Sequence, residues 1–195
     1  MEQRGRQVEK MMERQLLFEF AEIPKGSGNQ PSTSGLAEGN LAWLKSKARK
    51  TKSINTAGAD PGRLLEEIAA EANLATALLH VVRNKGAPGV DGQTVKAALA
   101  KAKQLLPRLR VILLSGKYSP VDVKRIWIPK PGSKDLRGLG VPTVLDRWVQ
   151  QATHQVLQPI FEPDSHQSSH GFRPKRGART AMAEARTLVQ AGHEW

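Results

Sequence analysis

VDVKRIWIP, residues Val121 to Pro129, alternates so that Val121, Val123, Arg125 and Trp127 fall on one face of an extended chain and Lys124, Ile126 and Ile128 on the other. Successive side chains of a strand point to opposite sides, so this spacing predicts a strand. Pro131-Gly132 follows as a turn signal, and Asp135 to Val141, DLRGLGV, can return as the partner. The stretch reads as one β-hairpin.

Outward from it the period is helical. Asp60-Pro61 is an N-cap followed by proline, and Leu64, Leu65, Ile68, Ala72, Ala75, Leu78, Leu79 and Val82 recur at three and four, with Asn73 placed to restart the helix. Lys85 to Gly92, KGAPGVDG, reads as a loop whose glycines let backbone approach a ligand or partner closely. Val95 to Leu106 and Leu109 to Leu113 give two helical runs with Pro107 at their junction, ended by Gly116. After the hairpin, Thr143 with Asp146 three residues on starts a helix carried by Trp148, Ala152, Val156 and Ile160. A polar loop over 162–171 then leads to Phe172-Arg173-Pro174, with Phe172 either a core plug, the preferred reading, or a stacking platform, and Ala178, Ala181, Ala185, Leu188 and Val189 mark a last helix.

The fold class is therefore α+β, mostly helical with one central hairpin, over residues 60–195. Residues 1–59 read as an extension. In it Gln7 to Ala21 can form a short amphipathic helix, Pro24 to Asn40 has the composition of a flexible linker, and Leu41 to Lys52 is either a short helix anchored by Trp43 or an arm gripping phosphates.

Thirty Lys and Arg against 18 Asp and Glu give a net charge of +12 over 195 residues. The excess is spread, at +3, +4 and +5 over residues 1–60, 61–115 and 116–195, as a groove that follows a polyanion backbone requires. Nucleic acid is the partner this implies. There is no cysteine, which excludes disulfides, thiolate metal sites and a cysteine nucleophile. The charged N-terminus and the lack of a long apolar run predict a soluble, cytoplasmic protein without a membrane anchor.

Lys124, Arg125, Lys130, Lys134 and Arg137 lie within one hairpin. They could converge on a single anion, Lys as a point charge and Arg as a planar fork, or could simply guard exposed strand edges. Arg173, Lys175, Arg176 and Arg179 stand at the start of the last helix, where cations and helix amides together suit a phosphate. His166 and His170 lack companions for a metal site. No phosphate-binding glycine motif of the P-loop or dinucleotide type is present, and no local acid orients a nucleophile. Neither catalytic residues nor metal ligands are assigned.

Several ordered blocks resemble a known family: NKGAPGVDG over 84–92, RIWIPK over 125–130, LRGLGVPTVLDR over 136–147, QQA over 150–152, PIFEP over 159–163 and SHGFRP over 169–174. Together they are similar to the opening of group II intron-encoded reverse transcriptases and maturases. The resemblance implies the fingers of a right-hand polymerase, which bind template RNA and the incoming deoxynucleotide. It implies that Lys130 and Arg137, with Arg125 beside them, hold the nucleotide phosphates. Template RNA contacts would come from Lys85, Lys124, Arg173, Lys175, Arg176 and Arg179. In the family a strand bearing the first metal-binding Asp follows, and a Tyr-x-Asp-Asp turn comes later. Neither lies within these 195 residues, so Mg2+ is expected only for the complete enzyme and this chain alone is expected not to polymerise. A non-catalytic RNA-binding module is the alternative this leaves.

Overall fold

The indole of Trp148 is fully buried and donates its N–H to the carbonyl of Leu74 at 2.7 Å, which ties together two core segments 74 residues apart. The computed structural model describes residues 33–48 and 61–193. In chain order it contains α1 (Thr33–Ala48), α2 (Pro61–Ile68), α3 (Glu71–Asn84), α4 (Val95–Ala100), α5 (Ala102–Leu114), β1 (Lys124–Pro129), β2 (Leu136–Val141), α6 (Val144–Phe161) and α7 (Ala178–Gln190). The α+β expectation with one antiparallel hairpin holds.

Helix α3 is central, packed between α1 and α6. It buries Leu74, Ala75, Ala77, Leu78 and Val81, against Leu44 of α1, Leu105, Leu106 and Leu109 of α5, and Trp148 and Ala152 of α6. Each fully buried leucine contributes about 1.5–3 kcal/mol relative to exposure, so this cluster holds the helices together. Where α1 meets α4, the amide of buried Asn40 donates to the carbonyl of Ala100 at 2.6 Å.

Three details differ from the sequence reading, and one alternative is settled. Residues 33–40, read as linker, are helical, because Leu44 and Asn40 gain partners that lie far along the chain. Over 41–48 the alternative of an anchored helix is the one observed, and Lys47 pairs with Glu71 at 2.7 Å. Asn73 caps nothing. The break falls at Ala69-Ala70, and Asn73 is buried, donating to the carbonyls of Ile68 and Ala152, both at 3.0 Å. The second break falls at Lys101, not Pro107, which sits inside α5 on its exposed side, where a missing N–H leaves only a solvent-facing carbonyl unmatched. The proposed helix over Gln7–Ala21, the cap at Asp60 and residues 49–52 lie outside the described residues.

Neither β1 nor β2 contacts a helix, and α7 contacts no other element among the described residues. No described helix is long and apolar enough to cross a membrane.

Candidate nucleic-acid interface

The pairing of β1 with β2 decides which cations can act together. Arg125 is opposite Gly140, Trp127 opposite Gly138, and Ile128 opposite Arg137. Paired residues share a face and neighbours alternate. Val123, Arg125 and Trp127 therefore lie on the face of the two glycines: a Cβ built on Gly138 would stand 3.5 Å from the Trp127 ring and 3.9 Å from Arg125 Cδ, and one on Gly140 3.1 Å from Val123 Cγ2. Arg137 lies on the other face with Lys124, Ile126 and Ile128.

The amide of Lys130 donates to the carbonyl of Asp135 at 3.0 Å. That bond extends the ladder by one rung, and alternation puts Lys130 on the Arg137 face. Lys130 Nζ is 3.8 Å from Asp135 Oδ2 in an exposed pair, worth little in water. The ribbon thus brings Lys130, Arg137 and, nearer its base, Lys124 to one side. It does not bring Arg125 there; the Arg125 guanidinium instead lies 5.9 Å from the centre of the Trp127 ring, a cation–π distance.

The 85–92 loop braces the base of the ribbon. Gly89 packs on the backbone of Pro142 and Thr143, the link from β2 to α6, and Arg147 donates to the carbonyl of Ala87 at 2.7 Å. Close approach was the expectation for this loop, and the partner is the chain itself. Lys85, at φ 48, ends α3 in the left-handed region and is exposed. The start of α6 is fixed by the expected box: Thr143 Oγ1 accepts from the amide of Asp146 at 3.1 Å and donates to Asp146 Oδ2 at 2.6 Å. Tyr118 donates to the other carboxylate oxygen at 2.6 Å; burial first, then this bond, push its phenol well above the ordinary range.

The second cationic group separates into two roles. Arg173 is 12% exposed at its side chain. Its guanidinium pairs with Glu162 Oε1 at 2.8 Å and donates to the carbonyls of Glu162, Ser165, His166 and Ser169. Arg176 donates to the carbonyls of Gln167 and Ser169. Both hold the 162–171 loop in shape. Lys175, at φ 60, and Arg179 are exposed.

The same loop is fastened to α7 by a network that the sequence did not announce. His170 Nε2 is 2.6 Å from Glu184 Oε2 and its Nδ1 is 2.8 Å from Thr180 Oγ1, while Ser168 donates to Glu184 Oε1 at 2.6 Å. The bonds from Ser168 and then His170 hold the Glu184 carboxyl below its ordinary range. Phe172 overturns the preferred core-plug reading: it sits at φ 57 and is fully exposed, which leaves the alternative of a stacking platform open. No three His, Cys, Asp or Glu among the described residues gather so as to hold a metal ion.

The sequence reading singled out neither Trp127 nor Arg147, whose contacts shape the ribbon and its base. The alternating glycines of β2 were the available signal for the first.

No family model matches the chain. It is 42% identical over 137 residues to Protein YkfC of Escherichia coli, a match covering 67% of this chain and 36% of that protein. It is 37% identical over 99 residues to the Group II intron-encoded protein LtrA of Lactococcus lactis, covering 51% of this chain and 16% of the relative. A Putative COX1/OXI3 intron 1 protein of Saccharomyces cerevisiae matches at 30% over 125 residues, 63% of this chain and 15% of its own. The matches thus span about a third of the first relative and about a sixth of the other two.

Proposed function

This chain belongs with the group II intron-encoded, maturase-like reverse transcriptase proteins, and on that premise we propose that it supplies phosphate contacts for RNA and for an incoming nucleotide. The observation that carries the reading is the shared ribbon face of Lys130 and Arg137, exposed and clear of the helical body. A triphosphate suits the pair: the ammonium acts as a point charge, and the guanidinium fork binds two oxygens at once. Arg125, on the opposite face, is better suited to RNA than to the same triphosphate.

Lys85, Lys124, Lys175 and Arg179 are exposed cations available to an RNA backbone. Arg173 and Arg176 would act on RNA through the loop they shape. RNA-directed DNA synthesis and intron splicing are the activities we propose for the complete protein of this family. Nucleotidyl transfer needs acidic side chains around two metal ions, which stabilise the attacking and leaving oxygens. The described residues gather no such acids, so we propose that these 195 residues bind without polymerising.

The test is an RNA-binding isotherm at several salt concentrations with nucleoside triphosphate as competitor. Affinity should fall steeply with salt as counterions are released. Lys130→Ala and Arg137→Ala should each weaken triphosphate competition by about 1.5–3 kcal/mol, the range for hydrogen bonds to charged groups. A salt-independent isotherm would remove the RNA reading. RNA binding with no competition by triphosphate would leave a non-catalytic RNA-binding module.

A further inference from the structure

The ribbon has a second face, and we propose that it is a stacking surface for the bases of single-stranded RNA, centred on Trp127. This rests on the reading that the chain binds RNA and adds a site to it. Trp127 is 57% exposed, although it sits in the middle of a regular strand. Two atoms of its six-membered ring, Cζ3 and Cη2, stand 3.5 and 3.8 Å from where a Cβ on Gly138 would be, so the indole packs beside a residue that has no side chain to displace it. More than half of the residue's surface remains open to solvent. Arg125 flanks it at 5.9 Å.

The chemistry of this face selects the occupant. Val123, Trp127 and Leu136 are exposed apolar groups, and Arg125 is the charged member of the face over 123–129 and 136–140. It carries no carboxylate that would repel a phosphate backbone. A π-surface beside a lone cation takes a nucleobase on the ring and its phosphate on the guanidinium, and it does so whatever the base, since every base has a π-face. The Lys130 and Arg137 face has no aromatic residue in the ladder. The two sides of the ribbon therefore differ in kind: one reads charge, the other reads bases.

The experiment compares the full chain's binding of oligoadenylate with its binding of inorganic polyphosphate, which carries charge without bases. Trp127→Ala should lower oligoadenylate affinity about tenfold, in the range of one stacked base, and leave polyphosphate affinity unchanged. Trp127→Phe should retain most of the affinity. Gly138→Val, which lifts the indole while keeping it, should reproduce the loss. Lys130→Ala should weaken both ligands.

Unchanged oligoadenylate binding in Trp127→Ala, or equal loss for both ligands, would overturn the stacking surface and leave the RNA reading standing. A change in self-association without a change in RNA affinity would also overturn it and make the face a protein contact. Failure of the unmodified chain to bind either polyanion would overturn both readings together.

Discussion

Gly89 and Thr143 approach so closely that a Cβ on the first would lie 2.7 Å from the Cα of the second. The loop before α4 is thereby pressed against the segment that joins the ribbon to α6. Both neighbours are backbone, so neither can swing aside. Gly89→Ala should destabilise the chain by about 1–3 kcal/mol, the usual cost of overpacking, as read by denaturant unfolding. Gly39→Ala is the contrast: it lies inside α1 with nothing within 4 Å, and should stabilise by about 0.5–1 kcal/mol through helix propensity. Equal effects of the two changes would remove the packing argument.

Asn73 joins three elements. Its amide serves carbonyls at the end of α2 and within α6, and its side-chain oxygen accepts from Gln155 at 2.7 Å. Asn73→Ala leaves buried acceptors unmatched and should cost about 1–3 kcal/mol. Asn73→Leu should fare no better, since the carbonyls stay unpaired. Stability of either variant equal to the parent would show that the bonds contribute nothing net.

The fastening of α7 should respond to acid. Glu184 in the folded chain sits below the ordinary value of 4.5, while the unfolded chain returns it there. A depressed carboxyl stabilises the fold above the unfolded value, and that contribution disappears as pH falls through the lower, folded one. Protection factors over 166–171, amide exchange corrected for its intrinsic pH dependence, should therefore fall below about pH 4.5, the unfolded value, and Glu184→Gln should flatten the response. A parent profile as flat as the variant's would sink this account.

Arg173 and Arg179 should fail differently. Arg173→Lys cannot replace a fork that reaches one carboxylate and four carbonyls, so the 162–171 loop should lose exchange protection and RNA affinity together. Arg179→Ala should leave the loop intact and reduce the salt dependence of RNA binding by about one phosphate contact. Identical behaviour of the two variants would mean that both simply carry charge.

Much of the fold was legible because it is locally determined. The period-2 run at Arg125 to Ile128 and the Thr143 to Asp146 box are each specified by neighbours in sequence. What escaped depends on distant partners. Gly35, Gly39 and Asn40 have the composition of a linker, and only the carbonyl of Ala100 and the pocket around Leu44 make that segment a helix. The cations of the hairpin were identifiable, but their division between faces follows from the Trp127 to Gly138 register. The commitment of Arg173 to Glu162, and of His170 to Glu184, likewise requires the loop to fold back on itself.

Because neither strand of the ribbon contacts a helix, any tilt about its braced base near Pro142 would move it as one arm. At ~3.3 Å per residue, its six-residue strands give an arm of roughly 20 Å. A tilt of about 10° then sweeps the tip through some ~3 Å, about the reach of one hydrogen bond. On the proposal that Lys130 binds phosphate, cargo at the tip would set the tilt, which the distant helical core does not.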